Sequence, residues 1–227
     1  MEQQIRTCTI TELIRPLNDV EKKHAPEQVY IAGKLPIPLT SPRAAIIGSR
    51  KASQQGLEVA STIAKFLAQN KVIIVSGLAE GIDTAAHTST IEAKGQTVAV
   101  LGTPLNKVYP KTNSKLQERI IQEHLAISQF PNEYPILPRN FILRNKTMAI
   151  ISDASIIIEA GSTSGTIHQS WEAIRLRRPL FIWHQLIQDT TLTWPKKMVE
   201  YGAIEFSDPK EILEALPPQQ ITLKVFQ

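Results

Sequence analysis

The chain has 227 residues, 42% of them apolar and 20% charged in mixed sign, which suits one large folded domain and argues against wholesale disorder. Its 25 Lys and Arg against 21 Asp and Glu leave a net charge of +4, a mild basicity that permits an anionic partner without demanding one. Cys8, the single cysteine, excludes a disulfide framework within one chain and a cysteine-built zinc site. The polar start does not read as a signal peptide, and no apolar run approaches the roughly 20 residues of a membrane span, so a soluble cytoplasmic protein without a membrane partner is expected.

Residues 1–42 carry Pro16, Pro26, Pro36, Pro38 and Pro42 and no sustained periodicity. They read as a short helix near Thr11 to Leu17 followed by an extended, proline-punctuated lead-in packed on the main domain. From Arg43 the texture changes. Short apolar runs at 44–47, 72–75, 98–101, 126–127, 156–158 and 180–183 alternate with helix candidates at 53–69, 82–94, 114–124, 141–151 and 166–177. Continuous apolar runs suit strands buried on both faces. The alternation predicts an α/β fold over 43–216 with a doubly wound, mostly parallel sheet. After His184 the pattern is less regular: a helix through Tyr201, an edge strand at 203–206, a helix capped by Asp208, and a tail at 217–227 that could add a strand.

Four segments could carry chemistry. Gly48-Ser49-Arg50-Lys51-Ala52-Ser53, with Gly56 beyond, follows a strand and opens a helix, where unpaired N–H groups favour an anion. It equally fits a plain turn capped by Ser53, and it is neither a GxGxxG fingerprint nor a Walker A loop. Ser76-Gly77-Leu78-Ala79-Glu80-Gly81-Ile82-Asp83, with His87 one turn on, occupies a similar place; Asp83 and His87 also fit purely structural roles. Glu159-Ala160-Gly161-Ser162-Thr163-Ser164-Gly165-Thr166 is open and rich in donors. In a parallel sheet these three loops share the carboxyl edge, where doubly wound folds bind ligands, so together they predict an anion or nucleotide site.

The fourth segment, Pro138-Arg139-Asn140-Phe141-Ile142-Leu143-Arg144-Asn145-Lys146, holds three cations and no acid. Arg139 and Arg144 could grip phosphates while Phe141 stacks on a base; Phe141 could equally be core and the cations a solvated face. No carboxylate pair, metal-ligand spacing or nucleophile elbow stands out, so no catalytic residue, metal or cofactor is expected.

In this order the segments resemble the DprA/Smf family of DNA-processing proteins. The resemblance runs from Val29 to Leu216 and includes Tyr30 to Gly33, Gly102, Tyr109-Pro110, Asn113, Phe130-Pro131 and Glu159-Ala160-Gly161. It implies an extended Rossmann-like domain that binds single-stranded DNA, protects it and loads the RecA recombinase in natural transformation, as a homodimer. By that resemblance Arg50 would hold a phosphate, Arg139 and Arg144 would widen a basic pocket, and Phe141 would stack on a base. The implied nucleic-acid site comprises Gly48, Ser49, Arg50, Lys51, Ser53, Gly77, Gly81, Arg139, Asn140, Phe141, Arg144, Asn145, Gly161, Ser164 and Gly165.

The departures from the family pattern suit a diverged paralogue. Glu80 stands where the family usually has a basic residue, and a carboxylate there repels phosphate. His184 to Trp194 replace the family's Pro-Gly loop. No winged-helix domain after Leu216 and no full helical domain before Tyr30 are expected. Two other functions compete with DNA binding: a Rossmann-like sensor of a small nucleotide, and a LOG-like nucleotide phosphoribohydrolase, whose Pro-Gly-Gly-x-Gly-Thr loop is not matched at Ala160-Gly161-Ser162.

Overall fold

A computed structural model describes residues 5–162 and 165–218. The lead-in forms β1 (Arg6–Cys8), α1 (Ile10–Leu13), α2 (Asp19–His24) and β2 (Val29–Gly33). Then follow β3 (Arg43–Ile47), α3 (Gln54–Gln69), β4 (Ile73–Ser76), α4 (Ile82–Glu92), β5 (Thr97–Leu101) and α5 (Ser114–Glu123). The second half adds β6 (Leu125–Ser128), α6 (Pro138–Ile151), β7 (Ala154–Ile157), α7 (Gly165–Arg175) and β8 (Leu180–Trp183). Last come α8 (His184–Gln188), α9 (Trp194–Glu200), β9 (Ile204–Phe206) and α10 (Pro209–Ala215).

Among the described residues the strands make one sheet in the order β1-β2-β6-β5-β4-β3-β7-β8-β9. The six strands expected from the apolar runs are all present, and β6 to β9 run parallel through β3. Alternate residues of each strand face opposite layers. Ala44 and Ile46 of β3 join Ile63, Leu67, Phe206 and Ile212 on the α3, α4 and α10 side. Ala45 and Ile47 join Met148, Ile151, Ala173 and Leu176 on the α6 and α7 side. Both faces are covered, which is why these strands lack polar alternation.

The lead-in differs from the extended segment expected. β2 pairs antiparallel with β6, and β1 with β2, so residues before Arg43 extend the sheet at one edge. Of the helix expected at 11–17 only the part within α1, Ile10–Leu13, is helical, and a second helix, α2, follows beyond it. Pro16 has no N–H to continue the first, and Asn18 starts the second with a reciprocal cap to Glu21. Helix α8, which the irregular pattern after His184 did not signal, opens directly from β8. Of the tail at 217–227, all beyond residue 218 lies outside the described residues.

The lead-in is held by a buried charge network. Glu21 is 1% exposed and accepts from Arg15 at 2.8 Å and Arg178 at 2.6 Å. Arg178 lies 3.6 Å from Asp153, which pairs with Arg43 at 2.8 Å. Burial by itself would raise the Glu21 pKa, but bonds from Arg15 and the Asn18 amide and the charges of Arg178 and Arg15 hold it below its ordinary 4.5. A depressed carboxylate pKa stabilises the fold above the ordinary value, and that contribution drains away as pH falls through the folded value. Glu21→Gln, which leaves two arginines short of their counter-charge, is expected to cost about 3 kcal/mol at pH 7. The gap from wild type should shrink below about pH 4; urea titrations at several pH values measure it.

Candidate nucleic-acid interface

Strand order reverses between β3 and β7. Chain leaving β3 enters α3 on one face of the sheet, and chain leaving β7 enters α7 on the other. A crevice opens at the carboxyl ends of the two strands, where open α/β sheets bind ligands. Ile47, Gly48, Arg50, Ala79, Asp83, Asn145, Met148, Gly165, Thr166 and Gln169 line a cavity there of about 300 Å³.

The first loop is stitched between the other two. The Ser49 N–H donates to the Glu159 carbonyl at 2.6 Å, and the Ser49 carbonyl accepts from the Ile82 N–H. Gly48 has no room for a side chain: a Cβ would lie 2.6 Å from Ile82 Cγ1 and 2.8 Å from the Glu159 carbonyl oxygen. Arg50 and Lys51 stand exposed above this junction and form no ion pair among the described residues.

The anion expected at the start of α3 is already present as a side chain. The Glu159 carboxylate accepts from the Ser53 N–H at 3.0 Å and the Ser53 hydroxyl at 2.6 Å, and Ser53 caps Gly56 N–H at 3.0 Å. A carboxylate across the helix start uses both its free amide and its dipole. Ser53, expected as a phosphate ligand, is engaged within the chain by Glu159 and Gly56.

In the second loop Asp83 accepts from the Gly77 N–H at 3.1 Å and the Ala79 N–H at 3.3 Å. Burial pushes its pKa up, against the Arg144 charge and these amides. Gly81, at φ +74°, turns the chain into α4 in a conformation that favours glycine. His87 bonds Thr97 at 2.7 Å, and burial lowers its pKa to about 3. It is neutral at pH 7 and part of the core.

Two residues of the fourth segment are buried and do not form part of the exposed surface. Arg144 donates to the carbonyls of Gly77 and Val100 and to Asn145 Oδ1, so its charge is consumed beneath the rim. The guanidinium lies where a Gly77 side chain would be, so Gly77 is a packing glycine. Asn140 is also buried and donates to the Pro135 carbonyl at 2.9 Å. The physical reason is helical period: residues 140, 144, 148 and 151 share the face of α6 that meets the sheet.

Of the other expected site residues, Gly48, Arg50, Asn145 and Gly165 line the cavity, Arg50 and Phe141 share the adjoining niche, and Lys51, Arg139 and Gly161 are exposed; Ser164 lies outside the described residues. Phe141 rests on Gly102, where a Cβ would lie 2.5 Å from its ring. Arg50 stands over the other part of the ring, 5.6 Å from its centroid, and Tyr109 flanks it at 5.2 Å. Glu80 shares this niche and accepts from Thr112 at 2.8 Å. Sequence reasoning missed the part of Glu159, reached across 106 residues of chain, and missed Tyr109 as a partner of Phe141. It also missed Gln169, whose signal is a carboxamide on the inward face of α7 beside Thr166, Ala173 and Leu176.

The family model for DNA recombination-mediator protein A matches residues 9–217. The chain belongs to the DprA/Smf family. The match begins well before Val29, so the lead-in belongs to the shared pattern too. The chain is 33% identical over 212 residues to DNA processing protein DprA of Streptococcus pneumoniae, spanning 93% of this chain and 74% of the relative. It is 32% identical over 192 residues to Protein Smf of Escherichia coli, spanning 84% of this chain and 51% of the relative.

The X-ray structure of DprA from Streptococcus pneumoniae superposes with a TM-score of 0.81 at 30% identity, over 95% of this chain and 75% of that one. DprA from Helicobacter pylori, described for its unique single-stranded DNA binding mode, shares the fold with a TM-score of 0.80 at 24% identity, over 94% and 95%. A molybdenum cofactor binding protein from Rippkaea orientalis shares the α/β fold at 16% identity and TM-score 0.54, over 78% and 95%. As a DprA/Smf protein the chain is a DNA-processing protein with a Rossmann-like fold. Among the described residues no helix is long and apolar enough to cross a membrane.

Glu159→Ala tests the filled helix start. It should lower stability by about 1 kcal/mol, as loss of a helix-capping group does. It should also make the rise of Tm with added phosphate steeper than in wild type, read by differential scanning fluorimetry.

Proposed function

We propose that this rim binds single-stranded DNA without catalysis and that the chain protects the strand and passes it to a RecA-type recombinase, acting as a homodimer in the cytoplasm during natural transformation. The observation that carries the reading is the Arg50–Phe141 pair. A guanidinium that forms no ion pair among the described residues stands over an aromatic ring that is itself partly accessible, at the carboxyl edge of the sheet where Phe141 rests on Gly102 beyond β5. Such a pair offers a phosphate grip and a stacking surface in one place, which is how sequence-tolerant single-strand binding works. Family membership, and the single-strand binding described for the Helicobacter pylori protein, support the same assignment.

Attraction in this reading comes from side chains. Arg50, Lys51 and Arg139 are exposed cations, while the Ser53 amide and hydroxyl at the start of α3 serve Glu159. Glu80 opposes them from inside the niche. Binding should therefore be moderate and strongly dependent on salt.

Fluorescence anisotropy with an oligothymidylate over a salt series tests this. Arg50→Ala should reduce the slope of log affinity against log salt by about 0.7, the value for one phosphate on a single strand. Phe141→Ala should weaken binding by about 1–3 kcal/mol with the slope nearly unchanged. Equal affinity of wild type and both variants would contradict the assignment.

A further inference from the structure

Three cations hold a left-handed backbone conformation just past helix ends. Among the described residues the non-glycine residues at positive φ are Lys71 at 62°, Leu78 at 60°, Lys94 at 57° and Arg177 at 54°. Lys71 and Lys94 follow α3 and α4 just ahead of β4 and β5, and Arg177 follows α7 ahead of β8. All three therefore stand on the amino edge of the sheet, opposite Arg50. Glycine is the usual residue at such a position, because a Cβ there crowds the following carbonyl. Lys71 and Lys94 bear that cost at two neighbouring helix ends.

The helix ends do not need these ammonium groups as caps. The Lys71 and Val72 N–H groups donate to the Ala68 and Leu67 carbonyls, each at 3.0 Å. The Lys94 and Gly95 N–H groups donate to the Ile91 and Thr90 carbonyls at 3.0 and 2.9 Å. Backbone amides thus meet the terminal carbonyls. Both lysines are exposed and form no ion pair among the described residues. The acid nearest in sequence, Glu92, pairs with Lys65 at 3.4 Å.

Lys71 and Lys94 line one cavity of about 280 Å³, together with Ser41, Gly95 and Gln96. Gly95 draws its two sides together: a Cβ there would lie 2.5 Å from Ala68 Cβ. The loop after α4 is thereby seated against the last turn of α3, and two cationic side chains border one hollow. No carboxylate lines it among the described residues. Gln96 is exposed, and its carboxamide brings two N–H donors.

We propose that this cavity binds a phosphate group, held between the Lys71 and Lys94 ammonium groups with a hydrogen bond from the Gln96 amide. Like charges set around one hollow gain from an anion between them. The phosphate is that of a nucleic-acid backbone or of a free phosphate compound, and the chemistry at the site is the same. The inference does not rest on the single-strand reading, because it uses no residue of the carboxyl edge. A strand bound here would be held in addition to its contact at Arg50.

Nuclear magnetic resonance on the whole ¹⁵N-labelled chain separates the sources, with tripolyphosphate and oligothymidylate titrated in turn. In wild type the Gly95 and Gln96 amide signals should move with tripolyphosphate, and Arg50→Ala should leave that response unchanged. Lys71→Gln combined with Lys94→Gln should weaken it about tenfold, as loss of two charged hydrogen bonds at an exposed site would. Lys71→Gly combined with Lys94→Gly is the second variant. It relieves the backbone, so Tm should stay level or rise while binding falls as in the glutamine pair.

Movement with both ligands, lost in the lysine variants, supports a strand phosphate. Movement with tripolyphosphate alone, lost in the same way, supports a free phosphate compound. Gly95 and Gln96 signals that stay still with both ligands, or that move equally in the lysine variants, overturn the inference. Oligothymidylate binding that depends on Arg50 and Phe141 judges the single-strand reading separately.

Discussion

A guanidinium hidden beneath the rim sets the geometry above it. Arg144 joins the carbonyl at the end of β4, a carbonyl of β5 and the side chain of Asn145 on its own helix. Three elements are thereby fixed to one planar group. A buried cation is stable only where its donors are met, so this arrangement tolerates little displacement of α6. Phe141 lies one turn earlier on that helix, and its place over Gly102 and under Arg50 follows from the anchoring. The charge that the sequence offers for binding is thus divided, with Arg144 organising the surface and Arg50 exposed upon it.

A second division concerns negative charge. Glu159 fills the start of α3, and Asp83 ties the second loop by accepting from two of its amides. These carboxylates do locally what a bound phosphate does in many nucleotide sites. The loops are therefore tied together by the chain's own acids. Recognition falls to side chains that project from a rigid frame.

The sheet was legible because six strands are buried on both faces and read as continuous apolar runs, and because helices between them kept their period. The first two strands were not, since β1 has only three residues and β2 lies between Pro26 and Pro36 in a stretch without sustained periodicity. In α6 the run of cations drew attention to charge where period was decisive: Asn140 and Arg144, four apart, fall on the sheet-facing side with Met148, while Arg139 and Ile142 fall outside. Arg50 and Phe141 were legible as separate candidates, and their pairing came only from the fold. Glu159 was seen as part of a loop, but its bond to Ser53 depends on β3 and β7 being neighbours, which no local pattern states.

A crystal structure of the chain with a bound oligothymidylate addresses the central claim most directly. The account requires a phosphate at Arg50 and a base against Phe141, on the carboxyl edge of the sheet. A strand lying instead along the opposite edge, near Lys71 and Lys94, with Arg50 and Phe141 untouched, would contradict it.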